Sequence, residues 1–348
     1  TIAAEGVVST LTSAGEISGG LGGPKGTTKL GHVGGFVGRL YGKLVNVTNT
    51  GKVKGIATYN AGVAGFVQQG AVLDGVKNYG EITSSAAYVA GVAAYVYEDA
   101  EFNKCVNYGN ISSSVAAGYA AGIAATALPS KFVECVNEGQ ISSGSSAGIV
   151  ANCSGKSGGL IYTFDRCQNN GEVTGNGILG GITAVQGATA GNNVCHYIQC
   201  VNNGDITATA TQAVSSSAMA GIAAFYSPGS VFEYCINTGF VTNTKSVYTA
   251  GIAANNKGSA TADYPVVFKG CVNTGNIASS AQQIAGIVAY ITNYTSVDSC
   301  LNYGTIEQGI WGAAGICYTM AGTTSSLTNC INYGDVSVTQ YNAGGIVG

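Results

Sequence analysis

One repeated pattern fills this chain and limits what it can fold into. Each copy has an apolar residue, two spacers, Cys, then x-Asn-x-Gly-x-Ile/Val, with an Ala-Gly-Ile string after a gap. The most regular copies of the Cys-containing part occupy residues 102–111 and 132–141. From Gly51 to Gly334, the glycine of the pattern recurs every 29 to 36 residues. A fixed period of this length is typical of stacked repeat architectures rather than of several unrelated globular domains.

Two positions of the repeat are almost constant between units. Eight of the ten clear units have cysteine at the same point: Cys105, Cys135, Cys167, Cys200, Cys235, Cys271, Cys300 and Cys330. The first two units have Val47 and Val76 there, which indicates a buried apolar position. All ten have asparagine two residues later: Asn49, Asn78, Asn107, Asn137, Asn169, Asn202, Asn237, Asn273, Asn302 and Asn332. We predict two structural ladders, one of mostly free thiols and one of asparagines at a bend, where asparagine tolerates left-handed backbone geometry.

Composition favours β-structure and excludes some partners. Charged residues make up 9% of the chain, glycine contributes 54 residues, and no stretch of 18 apolar residues occurs. Valine, isoleucine, threonine and tyrosine are common, which is typical of strands. The net charge is −3, and the only arginines are Arg39 and Arg166, so a basic face for nucleic acid is missing. We expect neither a nucleic-acid partner nor direct membrane insertion.

The repeat predicts an all-β chain folded as a single parallel β-solenoid of about 10–11 rungs, with roughly 30 residues per rung. Ordering one unit costs about 1.5 kcal/mol per residue in conformational entropy. Burial of its few apolar side chains cannot offset this cost, so units must stack. We predict one continuous domain over 1–348, with a degraded first unit at about 1–38 and regular units at about 44–348. The Cys and the residue after it are both usually apolar, which indicates a bulge or corner between them. Because Gly348 follows a regular strand pattern without a polar cap, we expect a longer chain or an assembly.

Some units resemble a family of surface repeats. The resemblance lies in three segments: Cys-Ile-Asn-Tyr-Gly-Asp-Val at 330–336, Gly-Gly-Ile-Val-Gly at 344–348, and Gly-Gly-Phe-Val-Gly at 34–38. They are similar to the GLUG-type repeats of bacterial surface proteins and, more loosely, to β-helical bacterial adhesins and secreted autotransporter passengers. Most units here read Ala-Gly-Ile-Ala/Val-Ala instead. The resemblance implies an extracellular or cell-surface role, often adhesive, and it supplies no catalytic residues.

Three cysteines, Cys153, Cys195 and Cys317, fall outside the ladder. The sequence places Cys195 in a long loop five residues before Cys200, which leaves a local disulfide open as an alternative there. No Cys-x-x-Cys string occurs and the chain has two histidines, so no metal or cofactor site is predicted.

Catalytic and modification signals are sparse. Glu98, Asp99 and Glu101 form the local acidic cluster, and adjacent acids of this kind are more typical of a solvated loop than of a catalytic pair. We therefore predict no enzyme activity. Four Asn-x-Ser/Thr sequons are candidate glycosylation sites if the source has a glycosylating secretory system: Asn46, Asn110, Asn152 and Asn293.

Surface contact is predicted at tyrosines and at long loops. Four tyrosines precede the repeat's glycine, where strand alternation points them outward: Tyr79, Tyr108, Tyr303 and Tyr333. Rows of outward tyrosines suit contact with carbohydrate or protein, and the alternative is a stack that stabilises the surface. The segments 150–163, 183–196 and 253–267 are the longest connections, and they are either a binding surface or tolerated insertions.

These observations favour a non-enzymatic extracellular rod that displays variable loops for binding or spacing. Its expected partners are other proteins, glycans or further copies of itself. The alternative is a self-assembling filament or sheath subunit that docks end to end through uncapped rungs. A polysaccharide-active β-helix enzyme ranks third.

Overall fold

The fold is an all-β parallel solenoid, as the repeat predicts. A computed structural model describes residues 1–19, 31–116, 118–153, 155, 161–187, 193–209, 217–243, 247–280, 282–309 and 311–348. These residues wind into about ten turns of about thirty residues each, without a helix. No helix able to cross a membrane is found in this described part of the chain.

Each regular turn contributes one short strand to each of five parallel sheets, numbered here in the order in which the chain visits them. The first sheet contains Val7–Ser9, Lys43–Val45, Val72–Asp74, Glu101–Asn103, Lys131–Val133, Ile161–Asp165, Val194–Ile198, Val231–Glu233, Val266–Lys269, Thr295–Asp298 and Ser326–Thr328. The second contains Thr12–Ser13, Thr48–Asn49, Lys77–Asn78, Val106–Asn107, Val136–Asn137, Gln168–Asn169, Val201–Asn202, Ile236–Asn237, Val272–Asn273, Leu301–Asn302 and Ile331–Asn332.

The remaining sheets complete each turn. The third contains Ile17–Gly19, Val53–Gly55, Ile82–Ser84, Ile111–Ser113, Ile141–Ser143, Val173–Gly175, Ile206–Ala208, Val241–Asn243, Ile277–Ser279, Ile306–Gly309 and Val336–Val338. The fourth contains His32–Gly34, Tyr59–Ala61, Tyr88–Ala90, Tyr119–Ala121, Ser145–Ala147, Leu179–Gly180, Ala218–Ala220, Tyr248–Ala250, Gln283–Ala285, Gly312–Ala314 and Asn342–Gly344. The fifth contains Val37–Leu40, Ala64–Val67, Ala93–Val96, Ala124–Ala127, Val150–Cys153, Thr183–Gln186, Ala223–Tyr226, Ala253–Asn256, Val288–Ile291 and Cys317–Met320.

The corner between the first and second sheets lies just before the repeat's Cys position, one step earlier than predicted. The corner residue has a left-handed backbone, with φ between 50° and 62°, at Asn46, Gly75, Lys104, Glu134, Arg166, Gln199, Tyr234, Gly270, Ser299 and Asn329. In a typical turn, Cys105 is then fully buried and Val106 is half-buried. Strand alternation is therefore kept, because only one of the two apolar residues faces the core.

The predicted asparagine ladder is confirmed. The Asn78 Nδ2 donates to the Oδ1 of Asn107 at 2.8 Å and to the carbonyl oxygen of Gly80 at 2.9 Å. The same side-chain bond, at 2.7 to 2.8 Å, joins every neighbouring pair from Asn49 to Asn332. Each of these asparagines ends a second-sheet strand, and the left-handed geometry expected of them lies at the corner residue instead. The ladder satisfies buried amide groups along the rod.

The ladder lies between two apolar cores. The main core is lined by the first and fifth sheets, with Leu73 and Val96 as examples, and the second lies between the third and fourth sheets, with Ile82 and Val89 as examples. The glycine between the fourth and fifth sheets approaches the ladder so closely that a Cβ at Gly122 would come within 3.0 Å of the Asn137 Oδ1. Each turn is therefore pinched at the ladder, which explains the glycine of the Ala-Gly-Ile string.

Stacked aromatic rings fill the main core. Neighbouring rings lie 4.6 to 5.3 Å apart, between centroids, along the series Phe102, Phe132, Phe164, Tyr197, Phe232 and Phe268. All six side chains are fully buried. Such pairs contribute about 0.5–1.5 kcal/mol each beyond the burial of their area, so this series stabilises the middle turns.

All eleven cysteines are free thiols in the structure. Ten are buried and Cys330 is partly exposed. The Sγ of Cys135, for example, donates to the carbonyl oxygen of Phe102 at 3.3 Å. Cys195 lies in the strand Val194–Ile198, so its predicted place in a loop is wrong, and no disulfide joins it to Cys200. Burial raises the pKa of the Cys105, Cys167 and Cys235 thiols, which disfavours the reactive thiolate.

Replacing a core cysteine with valine should leave the fold intact. For Cys167→Val we expect the free energy of unfolding to change by less than about 1.5 kcal/mol, because the swap approximately conserves volume and the fully buried Val47 and Val76 occupy the same position of the repeat. A thiol reagent added to the native protein should modify Cys330 first, and the others only after urea unfolding. Rapid native modification of several thiols would contradict this packing.

Candidate ligand-contact face

The four tyrosines singled out in the sequence form two stacked pairs on the outside of the rod. The ring centroids are 4.5 Å apart for Tyr79 and Tyr108, and 4.8 Å apart for Tyr303 and Tyr333. Their exposed fractions are 47%, 41%, 49% and 60% in that order. The rings therefore stabilise one another and still present area to solvent, so a stabilising stack and a contact surface are compatible here.

Two rows of polar side chains lie on the third sheet beside the first tyrosine pair. One row precedes the strands: Glu81, Asn110, Gln140, Glu172 and Asp205. The other holds the middle of each strand in register: Thr83, Ser112, Ser142, Thr174 and Thr207. All ten are at least partly exposed. Neighbouring strands are about 4.8 Å apart, so each row offers one polar group per step along the rod. These rows are called the polar face below.

Hydrogen bonds fix parts of this face. The Oδ1 of Asn110 accepts a hydrogen bond from the backbone N–H of Gln140 at 3.0 Å, and the Oγ1 of Thr174 donates to the carbonyl oxygen of Ile141 at 3.2 Å. In the row that continues the tyrosine pair, the Nδ2 of Asn170 donates to the Oε1 of Glu138 at 2.9 Å. The Asn110 and Thr174 side chains are therefore held in place by backbone groups of neighbouring turns.

Two adjoining grooves run over the polar face. The larger, of 730 Å³, is lined by residues that include Lys54, Ile56 and Thr83. The smaller, of 190 Å³, is lined by residues that include Glu81 and Glu172. Both are lined by Ser112 and Ser142, so they lie side by side. The larger volume lies within the range of about 300–1,000 Å³ usual for ligand sites.

The lysines at the edge of this face are already paired. The Nζ of Lys52 lies 2.9 Å from the Glu81 Oε2, and the Nζ of Lys54 lies 3.3 Å from the Glu16 Oε2. The hydrogen bond from Lys52 lowers the pKa of the Glu81 carboxyl. Glu172 has no ion-pair partner among the described residues. The face is thus neutral to acidic.

A further exposed aromatic pair was missed from the sequence. Trp311 and Tyr341 stack with centroids 5.7 Å apart, and they are 53% and 61% exposed. They follow the last two third-sheet strands, whereas Tyr303 and Tyr333 precede those strands. Aromatic pairs therefore border both edges of the third sheet there. The available signal was the chain's single tryptophan in a glycine-rich connection.

Another aromatic cluster fills the outer corner between the fourth and fifth sheets. Tyr59 stacks on Tyr88 with centroids 4.9 Å apart, and Phe66 stacks on Tyr95 with centroids 5.0 Å apart. Tyr59 and Phe66 are each only 8% exposed. Burial raises the pKa of Tyr59 to about 12. These rings pack mainly against one another and against alanines, so they are better explained as structural filling.

The long segments predicted to be either a binding surface or tolerated insertions are partly strands. The structure places Ile161–Asp165 and Val194–Ile198 in the first sheet, because their β-branched and aromatic residues pair in register. Residues 154, 156–160 and 188–192 of these segments lie outside the described residues. The described parts form a groove of 240 Å³ lined by residues that include His196, Val231 and Tyr264. Burial lowers the pKa of His196.

The sequons differ in accessibility. Asn46, Asn110 and Asn293 are exposed, whereas Asn152 is partly buried in the strand Val150–Cys153. Ser154, the third residue of that last sequon, lies outside the described residues. Glycosylation at these positions stays a prediction.

The local acidic cluster is engaged with surface partners. The Nζ of Lys131 lies 3.3 Å from the Glu101 Oε1, and the Nε2 of Gln69 donates to the Asp99 Oδ2 at 3.2 Å. No group of three His, Cys, Asp or Glu side chains suited to a metal ion occurs among the residues that the structure describes. The geometry at these acids is that of surface ion pairing.

Comparison with protein-family models, curated proteins and solved structures finds no match to this chain. No family match supports the more specific resemblance to GLUG-type repeats. The structure supports the coarser class, a β-helical repeat protein.

Proposed function

We propose that this chain is a non-enzymatic, extracellular or cell-surface rod of adhesive or structural type. Contact with other molecules occurs along the third sheet, on the polar face and on the exposed aromatic pairs that border this sheet. The observation that carries the proposal is the pairing of the outward tyrosines, which keep 41% to 60% of their surface exposed while they stack. Rigid aromatic side chains give large contact area at low entropic cost, which is why they dominate recognition surfaces.

The stacked architecture supports this role. Each turn buries its neighbours' apolar faces, so the polar face continues along the rod as a repeated surface. Such surfaces suit extended partners. The thiols are compatible with an oxidising compartment, because ten of the eleven are buried away from reagents.

The binding test compares the native chain with a variant in which Tyr79, Tyr108, Tyr303 and Tyr333 are changed to serine. Both are applied to a panel of purified polysaccharides, of surface proteins and of the immobilised chain itself. We expect the native chain to bind one or more of these probes, and the variant to bind at least about tenfold more weakly, since hot-spot aromatics contribute about 2 kcal/mol or more.

The matched control carries Tyr234→Asn and Tyr294→Asn. These tyrosines are 49% and 40% exposed but lie off the polar face, at left-handed positions with φ of 53°, which asparagine accepts. The control should bind like the native chain. Equal binding by the serine variant, or equal loss in the control, would overturn the proposal. Binding to the immobilised chain alone, unchanged by the serine substitutions, would favour the filament alternative instead.

A further inference from the structure

We infer that the polar face binds a neutral glycan chain laid along the rod axis, beside the Tyr79–Tyr108 pair. This inference rests on the proposed function and names the ligand class of that same face. It is carried by the shape of the adjoining grooves, by the hydrogen-bonding groups that line them and by the pairing of the two nearby lysines with carboxylates.

The shape favours an extended ligand. The two grooves together are lined from Ser18, in the first turn, to Glu172, in the sixth. Five steps of about 4.8 Å make this a length of roughly 24 Å. A small molecule would meet only one or two turns. A polymer that runs along the axis would meet a similar polar group at every step.

The chemistry of the lining favours hydroxyl groups as partners. Serine and threonine hydroxyls both donate and accept, an amide offers both kinds of group, and a carboxylate accepts at two oxygens. The side chains of Ser112, Gln140 and Ser142 make no hydrogen bond to other described residues and face solvent. Neighbouring sugar hydroxyls, which are donors and acceptors at short spacing, match this arrangement.

Tyr108 lies between an aromatic and an acidic neighbour beside the polar face. Its ring stacks on Tyr79 in the preceding turn, and the following turn has Glu138 at the same position. Burial, the Tyr79 ring and the Glu138 carboxylate raise the pKa of Tyr108, so its hydroxyl stays a hydrogen-bond donor at neutral pH. A sugar ring on the polar face can contact the exposed edges of the Tyr79–Tyr108 pair while its hydroxyls reach Asn110 and Gln140.

Charge decides which glycans fit. Lys52 pairs with Glu81 beside the smaller groove, Lys54 lines the larger groove and pairs with Glu16, and Glu172 adds an acidic group to the smaller groove. A uronate or sulfated chain would place like charge beside Glu81 and Glu172, and it would have to compete with Glu81 and Glu16 for the two lysines. The face therefore selects uncharged chains.

The test uses soluble neutral polysaccharides of several linkages, with polygalacturonate as the anionic probe, and protein made in a host that does not glycosylate Asn110. For Asn110→Ala, we expect the Kd for the neutral chain to rise about five- to tenfold, because the variant loses about one hydrogen bond to the glycan. The matched control is Asn276→Ala. The Asn276 Oδ1 accepts from the Thr305 N–H at 2.9 Å, as Asn110 does from Gln140 at 3.0 Å, but it lies outside both grooves. Its Kd should be unchanged.

The outcomes separate this inference from the proposed function. Binding of polygalacturonate as tight as that of the neutral chains would overturn the neutral-glycan assignment, as would equal losses in the two alanine variants. If the protein binds none of the neutral polysaccharides, the inference is also overturned. The proposed function would survive that result if the native chain bound a protein partner and the four-tyrosine variant did not.

Discussion

Asn169→Ala is expected to lower the free energy of unfolding by roughly 3–5 kcal/mol. Asn169 is fully buried, and its Nδ2 donates to the carbonyl oxygen of Gly171 at 2.9 Å and to the Oδ1 of Asn202 at 2.8 Å. Its Oδ1 accepts from the Nδ2 of Asn137 at 2.8 Å. Alanine would leave these buried groups without their partner, and each unsatisfied group costs about 1–3 kcal/mol. Urea unfolding followed by circular dichroism measures the loss.

Asn203→Ala is the matched control for the buried ladder. Asn203 also lies in a chain of side-chain hydrogen bonds, because its Nδ2 donates to the Oδ1 of Asn170 at 2.8 Å and its Oδ1 accepts from Thr238 at 2.8 Å. It is exposed, so water can replace these bonds. We expect a change of about 0.5 kcal/mol or less. Equal destabilisation by the two substitutions would contradict a special role for the buried ladder.

Gly148→Ala is the second substitution with a large expected effect. A Cβ there would lie within 3.0 Å of the carbonyl oxygen of Gly181 and of the Asn169 Oδ1. The first is backbone of the next turn and the second is fixed in the ladder, so neither can move freely. We expect a loss of about 3 kcal/mol or more, at the upper end of overpacking costs.

Gly345→Ala is the control for this contact. Gly345 has the same place in the repeat as Gly148, but a Cβ there would meet nothing within 4 Å. Its thermal unfolding should match that of the native chain within about 1 kcal/mol. Destabilisation of both variants to the same extent would indicate that the glycine is needed for backbone conformation rather than for close approach.

The sequence predicts the architecture because the period, the apolar positions and the asparagines all repeat. It does not predict the left-handed corner, since that position is occupied by residues as different as Lys104, Glu134 and Tyr234. No single residue type is common to all the corner positions, so the sequence offers no signal for their left-handed backbone. The role of the repeated glycines also needed coordinates, because Gly109 lacks positive φ and is required by its close approach to Gly80 and Asn78.

The candidate site was only partly predictable. Strand alternation identifies Tyr79 and Tyr108 as outward, since they lie at a fixed distance from the repeat's glycine. The polar face was not evident, because its residues vary between units and form rows only when the register stacks them. Trp311 and Tyr341 lie in the connections between the third and fourth sheets, whose length the repeat does not fix.

Hydroxyl-radical footprinting with a bound neutral polysaccharide tests most directly whether the polar face is the contact surface. Oxidation of Tyr79 and Tyr108 should fall severalfold in the complex, whereas Tyr234 and Tyr294, which are similarly exposed in the free chain, should be oxidised as before. Protection confined to Tyr264, beside the groove of the long connections, would place the contact there and contradict the assignment to the polar face.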